Sequence, residues 1–425
     1  MIASLTLMAV AVFGYSLVSR RLASTIVTAP IFFAAIGLIA GPVLKLVDFP
    51  AGEGTTVLLL EAALVMVLFA DSSSLDLRRW TREPSLSGRL LGIGMPFTML
   101  AGAALAFVLL PGVEIWQAAL IGVMLAPTDA ALGQAVVANR RVPAVVRNAL
   151  NVEGGLNDGL ALPFVTIFVT LGLVAGGAES QLRVPQVLAL ALGGSTLVGL
   201  IAGIGGGLLL RAGVRRTLVD DRWVPIALVA LAVGAFSAAD EIGASGFLAV
   251  WVAGLATGAM VRGHVAAEAF HLPEELADLL SGIGFLLLGA LLIVPVIERL
   301  APVEVLYAAL SLTVVRIVPV AVALLRTGLS PATVGYVGWF GPRGLASIVF
   351  ASLVIEAEVP NPSMITDVVL LTVTLSLVVH GVTAAWGARR YAGWFERAAT
   401  VNPGIPEAAE LAQPDLRGTR RARRA

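Results

Sequence analysis

The sequence predicts an all-helical protein that crosses a membrane about thirteen times. Hydrophobic residues make up 58% of the 425 positions, and charged residues make up only 13%. Soluble domains carry about 25% charged residues, so this composition is typical of a chain whose surface faces lipid. The 45 glycines fit this class, because small residues let helices approach one another closely in a bilayer.

Apolar runs between polar residues, glycine and proline define the predicted spans. A helix needs roughly 20 mostly apolar residues to cross the hydrocarbon layer. The runs that approach or reach this length are residues 2–18, 26–44, 55–74, 90–110, 115–137, 146–175, 186–210, 223–239, 243–261, 276–297, 302–325, 332–355 and 364–387. An odd number of spans places the two termini on opposite sides of the membrane.

The distribution of basic residues predicts the orientation. One alternating set of loops, together with the C-terminal segment, contains 23 of the 28 lysines and arginines. The opposite loops contain only Lys45, Arg183 and Arg299, and the remaining two, Arg316 and Arg343, lie within spans. Because basic residues accumulate on the cytoplasmic side, we expect an external N-terminus and a cytoplasmic C-terminus in a multi-pass protein of the cell (inner) membrane.

The chain divides into two predicted parts, a transmembrane domain at residues 1–390 and a flexible cytoplasmic tail at residues 391–425. The end of the tail is rich in proline, glycine and charge and poor in apolar residues, which is typical of disorder. Its arginine cluster could contact anionic lipid headgroups. A tail that is simply solvated is the alternative.

Several classes of protein are excluded by composition. Cysteine is absent, which removes disulfides, thiolate metal sites and redox chemistry. The single lysine, Lys45, does not follow the glycine pattern of a phosphate-binding loop, which excludes the common route to ATP-driven transport. No spacing matches a zinc site, and no serine nucleophile motif is present. We therefore expect no enzymatic activity, no cofactor and no nucleic-acid partner.

Two spans contain a helix-breaking motif beside a charged residue. Span five contains Pro127, Thr128 and Asp129, and span twelve contains the segment 341–344, which is Gly-Pro-Arg-Gly. Proline removes a backbone donor and opens the helix, so freed carbonyls and the Thr128 hydroxyl can coordinate a cation. The breaks lie seven spans apart, and this odd offset is what an inverted-topology repeat requires. A simple proline kink is the alternative.

Span six carries the acidic motif Glu153, Asn157 and Asp158. Ionisable groups within a span are costly and stay where they face protein or a watery cavity. Glu153 and Asn157 share a helix face because they are four residues apart, whereas Asp158 points elsewhere. Asp158 is the strongest candidate to carry a proton or a monovalent cation, with Asp129 as its neighbour. A carboxylate that holds either ion, but not both, is a physical basis for exchange.

The two intramembrane arginines need counter-charges. We predict an ion pair between Glu153 and Arg343, and a carboxylate or helix-end carbonyls as the partner of Arg316. Asp71 in span three either lines the ion cavity or begins the loop that contains Asp76.

Five other polar positions complete the inventory. We expect Asp240 and Glu241 to lie in a solvated outer loop. We expect His264 and His271 to be surface residues of a cytoplasmic loop, with a pH-sensing role as the less favoured alternative. His380 lies within span thirteen, where a functional role is a less favoured alternative to a structural one.

These motifs together resemble those of the monovalent cation:proton antiporters, in the branch of archaeal NhaP and animal sodium/proton exchangers. The similar segments are 126–129, 153–159, 245–254 and 341–344, in span order over nearly all of residues 1–390. The resemblance implies a homodimer with a dimerisation and a core subdomain, two crossed broken helices and elevator-type alternating access. It implies an ion site at Asp158, Asp129 and Thr128.

The resemblance also assigns roles to the remaining motif residues. It implies that Asn157 is the asparagine of an Asn-Asp motif, that Glu153 and Arg343 form a stabilising ion bridge, and that Arg316 is the arginine of span eleven. Relatives with two aspartates and a span-eleven lysine are electrogenic, so this chain looks electroneutral, exchanging one cation for one proton. Two departures are Gly154, where a serine is usual, and Ala70, where several relatives have glutamate.

The leading hypothesis is therefore Na⁺ or Li⁺ exchange for H⁺, with K⁺/H⁺ exchange as a close variant. A cation channel would need a lined pore with repeated filter residues, and no such repeat is visible. An organic-solute symporter would need a larger polar cavity than these few polar residues supply. A membrane sensor would be expected to carry a further domain after span thirteen, and none is visible.

Overall fold

The regular structure of the chain is helical throughout. The structure, a computed structural model, describes residues 2–22, 25–47, 54–75, 86–137, 139–177 and 183–408, and these contain no strand. This part of the chain contains nine helices long and apolar enough to cross a membrane and four shorter apolar helices, which correspond one to one with the thirteen predicted spans. Outside the described residues lie Asp76, Arg78, Arg79, Arg82 and residues 409–425 of the predicted tail.

We number the helices in chain order. They are α1 (Ile2–Leu22), α2 (Ala29–Val43), α3 (Gly54–Ser74), α4 (Leu86–Leu109), α5 (Ile115–Met124), α6 (Ala130–Val137), α7 (Ala144–Ala175), α8 (Val184–Arg215), α9 (Trp223–Glu241), α10 (Gly246–Val261), α11 (Ala267–Glu298), α12 (Pro302–Ala323), α13 (Pro331–Trp339), α14 (Leu345–Glu356) and α15 (Pro362–Val401). Span five consists of α5 and α6, and span twelve consists of α13 and α14. Both predicted helix breaks are therefore present.

The two interrupted spans contact each other at their breaks. The Asp129 amide donates a hydrogen bond to the Pro342 carbonyl at 2.7 Å. The Arg343 Nη1 donates to the carbonyls of Ala126 and Pro127 at 2.9 and 3.1 Å. Hydrocarbon offers no partner for a freed backbone group, so each break supplies the partners that the other break needs.

Glycines bring the helices that surround the breaks into close contact. A Cβ atom at Gly258 of α10 would overlap the main chain of Ser73 in α3. A Cβ atom at Gly159 of α7 would overlap the indole of Trp251 in α10. Helix α10 can therefore pack tightly on both α3 and α7, which are the helices that carry Asp71 and Asp158.

The last helix differs from the prediction. Helix α15 runs without interruption through residue 390 to Val401, so the expected boundary between domain and tail falls inside a helix. Beyond it, the buried Glu407 accepts hydrogen bonds from the Ser330 amide at 2.8 Å and the Thr333 hydroxyl at 2.6 Å. Residues 391–408 thus extend the folded domain. Their contacts with α13 continue beyond the end of the apolar run from which the last span was predicted.

Candidate ion-binding site

Asp129 lies at the break of span five, directly before α6. Its Oδ1 accepts a hydrogen bond from the Leu132 amide at 2.9 Å, and its Oδ2 accepts one from the Leu345 amide at 2.9 Å. Both amides belong to the first turn of a helix, α6 and α14 respectively, where unpaired N–H groups and the helix dipole favour an anion. Asp129 therefore holds its negative charge at the point where two half-helices begin.

Asp158 lies in α7 and has no such partners. Its side chain is buried at 8% exposure. Among the described residues, no group donates a hydrogen bond to its carboxylate and no cation pairs with it. A buried carboxylate without donors is costly when ionised and unpaired, so this group is suited to bind a proton or a small cation.

A small cavity joins the acidic residues. It has a volume of about 50 Å³ and is lined by Asp71, Asp129 and Asp158, with Asn151 and Ser281 among its other polar residues. A cavity of this size admits a few water molecules or a partly dehydrated ion. Among the described residues, no group of three His, Cys, Asp or Glu side chains is arranged to hold a metal ion. The carboxylates thus share a cavity without forming a tight cluster.

Asn157 connects the acidic helix to the break. Its Nδ2 donates a hydrogen bond to the Thr128 Oγ1 at 2.6 Å, with a longer contact of 3.4 Å to the Thr128 carbonyl. Its Oδ1 is buried and has no hydrogen-bond donor in the described part of the chain. The predicted site residues 128, 129, 157 and 158 are therefore brought together by the structure, with Asn157 fixing Thr128 in place.

The predicted ion pair between Glu153 and Arg343 is wrong. Glu153 instead pairs with Arg316 of α12, through Nη1–Oε1 and Nη2–Oε2 contacts of 2.5 and 2.9 Å. Arg343 is fully buried and directs its Nη1 at the carbonyls opened by the Pro127 break. A planar guanidinium matches a carboxylate with two parallel bonds, and Arg316 is the arginine positioned to form both.

The structure also decides between the two predictions for Asp71. The residue lies inside α3, which continues to Ser74, and is buried at 7% exposure against the cavity. It lines the ion cavity and does not begin a loop. Sequence reasoning missed Asp278, an exposed residue of α11 that also lines this cavity. Its spacing of three from Ser281 places both polar groups on one face of an apolar helix, which was the available signal.

The other polar candidates lie away from the cavity. His380 is buried, with Nδ1 at 3.0 Å from the Ser376 hydroxyl and Nε2 at 3.0 Å from the Trp339 carbonyl, so it holds the end of α13. His271 lies in the first turn of the helical segment that continues α11, and His264 lies in the preceding turn. Asp240 and Glu241 are exposed, but they end helix α9 and do not form a separate loop.

Comparison with known proteins gives the family of this fold and site. A family model described as "Sodium/hydrogen exchanger, transmembrane" matches residues 7–390. The chain belongs to the sodium/hydrogen exchanger family. Its architecture is also similar to the solved structure of the sodium proton antiporter MjNhaP1 from Methanocaldococcus jannaschii at pH 8, with a TM-score of 0.73 and 21% identity over 91% of this chain and 99% of that one. At this identity the similarity establishes the fold.

Two curated members of the family show how far the similarity extends. The K(+)/H(+) antiporter NhaP of Alkalimonas amylolytica is 27% identical over 401 residues, which covers 92% of this chain and 67% of that protein. The K(+)/H(+) antiporter NhaP2 of Shewanella sp. strain MR-4 is 26% identical over 389 residues, which covers 88% of this chain and 63% of that protein. The chain thus spans about two thirds of the length of these family members.

Proposed function

We propose that this exchanger-family chain is a secondary antiporter that moves a monovalent cation in one direction and a proton in the other. The observation that carries the proposal is the Asp158 carboxylate, which is buried, faces a small cavity and lacks a donor among the described residues. Such a group is neutral when protonated and neutral when it binds a monovalent cation. Because one carboxylate cannot bind both ions tightly at the same time, the proton and the cation compete for it.

The charges around Asp158 support a 1:1, electroneutral exchange. Asn157 is neutral where a second carboxylate would add a charge, and Glu153 is neutralised by Arg316. The Asp129 carboxylate accepts hydrogen bonds from two helix N-termini, which take the place of a mobile cation as its partner. The state that carries a proton and the state that carries a cation then have the same net charge. Membrane potential would not drive either transition.

The cation is proposed to be Na⁺ or Li⁺, in line with the sodium/hydrogen exchanger family model, with K⁺ as the alternative. Gly154 faces the break, where a serine hydroxyl would be another oxygen ligand, and small hard cations gain most from such ligands. The K⁺ alternative is favoured by the smaller number of oxygen ligands and by the names of the two similar K(+)/H(+) antiporters. Asp71 and Asp278 line the same cavity and would attract any of the three cations.

Alternating access is proposed to occur by an elevator-type movement of the broken helices with α7. The mutual hydrogen bonds at the two breaks support a rigid unit that would move together. In the proposed orientation, with the N-terminus outside the cell membrane and the C-terminus in the cytoplasm, Asp278 places the cavity mouth on the cytoplasmic side. We propose that the chain works as a homodimer, as the family resemblance implies.

The test is ion exchange by the purified protein in proteoliposomes that contain a pH dye. Pulses of Na⁺, Li⁺ and K⁺ should dissipate an imposed pH gradient to different extents, and the initial rate should be the same with and without an imposed membrane potential. Asp158→Asn should abolish exchange, whereas the exposed control Glu241→Gln should retain it. Undiminished exchange in Asp158→Asn would refute the site, and a voltage-dependent current would refute electroneutrality.

A further inference from the structure

A large cavity in the described part of the chain lies outside the ion site, in a groove between α13 and α15. It has a volume of about 620 Å³, within the roughly 300–1,000 Å³ of typical ligand pockets. Its walls are mainly aromatic: Tyr336, Trp339 and Phe340 come from α13 and its break, and Trp386 comes from α15. The Trp386 side chain is 58% exposed, so the groove is open along this edge.

The groove is basic at one end. Arg390 and Arg397 line it one and three turns beyond Trp386, and the Arg390 guanidinium lies 5.6 Å from the centre of the Trp386 ring. Within the described residues, neither guanidinium has a carboxylate at ion-pairing distance. The nearby Glu396 is paired with Arg141 at 2.8 Å, and the Arg397 Nε donates a hydrogen bond to the Gly393 carbonyl at 3.0 Å. The groove therefore combines an apolar channel with two uncompensated positive charges.

A buried hydroxyl inside the groove lacks a partner. Tyr336 is 7% exposed and lines the cavity, yet its phenol oxygen has no hydrogen bond among the described residues. The ring itself is well packed, stacked on Tyr391 with centroids 4.1 Å apart. Buried tyrosine hydroxyls usually find a hydrogen-bond partner. The Tyr336 oxygen has almost no exposed surface, so an acceptor oxygen of a ligand in the groove would satisfy it after a small shift of the surrounding side chains.

We propose that this groove, the α13–α15 groove, binds one anionic phospholipid of the cytoplasmic leaflet. Counting about 20 residues of membrane-spanning helix from Pro362 brings α15 to the headgroup level shortly before Trp386 and Arg390, in the orientation proposed above. An acyl chain lies along the aromatic walls, the ester oxygens accept from Tyr336, and the phosphate lies between the two arginines. Anionic headgroups are the partners that juxtamembrane arginines attract.

The occupant also contacts the transport helices. Phe340, which forms part of the wall, directly precedes the Gly341–Pro342 break, and its ring lies against Gly387 of α15, where an added Cβ would be 2.8 Å from the ring. The phospholipid thus packs against the junction between α13 and the break in span twelve. No residue of the groove lines the Asp158 cavity, but Phe340 also lines a small cavity beside Thr128 and Asp129.

The experiment is native mass spectrometry of the full-length, delipidated protein titrated with phosphatidylglycerol or phosphatidylcholine. Phosphatidylglycerol should bind more tightly. Arg390→Gln and Arg397→Gln should each weaken its binding about fivefold, which is about 1 kcal/mol. Tyr336→Phe, which keeps the ring packing, should weaken both lipids alike by a similar factor. The matched control is Arg389→Gln, since Arg389 is exposed and does not line the groove.

Four results would overturn the proposal. One is equal affinity for the two lipids, and another is unchanged binding in Arg390→Gln and Arg397→Gln. The third is displacement of phosphatidylglycerol by millimolar glycerol phosphate, which would identify a free phosphate site. Trp386→Cys introduces a thiol into a chain without cysteine. We expect no disulfide between two copies of this variant. Formation of that disulfide would show that a second copy covers the groove.

Discussion

Glu153 and Arg316 form a buried two-point ion pair between α7 and α12, with N–O distances of 2.5 and 2.9 Å. Both side chains are only 2% exposed. The pair neutralises Glu153 and leaves Arg343 to satisfy the carbonyls of span five. We infer a structural role for this pair, and we propose that Asp158 is the carboxylate that binds the ion.

Removal of one partner of this pair should be strongly destabilising. Arg316→Met leaves Glu153 buried without a counter-charge, which costs about 3–5 kcal/mol in comparable pairs. The control is Arg299→Gln, which breaks the Arg299–Asp367 pair, where the arginine side chain is 55% exposed and the expected loss is at most about 1 kcal/mol. Thermal unfolding of the detergent-solubilised protein measures both, and equal melting temperatures would contradict this account.

The hydrogen bond from Asn157 to Thr128 should contribute measurably to transport. Asn157→Ala and Thr128→Val each remove the 2.6 Å contact that holds the break against α7. A loss of about 1 kcal/mol in the positioning of Thr128 corresponds to a roughly fivefold slower initial rate. Thr128→Ser keeps the hydroxyl and should stay near the wild-type rate in the same proteoliposome assay. A wild-type rate in Thr128→Val, which keeps the methyl group and lacks the hydroxyl, would show that the hydrogen bond does not contribute to transport.

Glycine at position 344 should be required for the geometry of the two breaks. An added Cβ would collide with the Asp129 carboxylate that accepts from the first turns of α6 and α14. Displacement of a functional group by about 1 Å can cost about a hundredfold in rate, so Gly344→Ala should lose nearly all exchange. Gly335→Ala is the matched control, because no heavy atom lies within 4 Å of the position that its added methyl group would occupy. Equal exchange by the two variants would show that the breaks tolerate movement.

The contact between Glu407 and α13 should depend on pH. Burial opposes ionisation of this carboxyl, but hydrogen bonds from Thr333 and Ser330 outweigh it and hold its pKa below the ordinary value of 4.5. A carboxylate with a lowered pKa stabilises the folded contact above pH 4.5, and this stabilisation is lost as the pH falls through the lowered pKa. Hydrogen exchange of residues 402–408 should therefore be slow at pH 7 and accelerate as the pH falls through the lowered pKa of Glu407.

Two variants separate this effect from general acid unfolding. Glu407→Gln should raise the exchange of residues 402–408 at pH 7 by about tenfold or more, since charge-assisted hydrogen bonds contribute about 1.5–3 kcal/mol. Glu396→Gln breaks an exposed pair with Arg141 and should leave this segment protected. If both variants exchange alike, Glu407 does not hold the segment.

Hydropathy and the positions of the prolines were sufficient to predict the architecture from the sequence. The thirteen spans follow from apolar runs because a chain in lipid must satisfy its backbone bonds within helices. The breaks follow from Pro127 and Pro342, which interrupt those bonds inside apolar runs. The grouping of residues 128, 129, 157 and 158 follows because polar residues in neighbouring spans must share a protected interior.

The pairing of the buried charges and the features of the surface could be identified only from the three-dimensional structure. Both Arg316 and Arg343 lie inside spans, and spacing along the chain does not reveal which guanidinium faces Glu153. The hydrogen bond from the Leu345 amide to Asp129 depends on where α14 begins, and Leu345 is 216 residues away from Asp129 in the chain. The extension of α15 and the groove beside Trp386 arise from packing between helices, which hydropathy does not detect.

Competition between the two ions at Asp158 is the central claim, and the pH dependence of the apparent KM for the cation tests it most directly. In proteoliposomes with a saturating pH gradient, the apparent KM should rise about tenfold for each unit of pH decrease once protons occupy the site, while the maximal rate stays constant. An apparent KM that does not change with pH, with protons lowering only the maximal rate, would contradict the account.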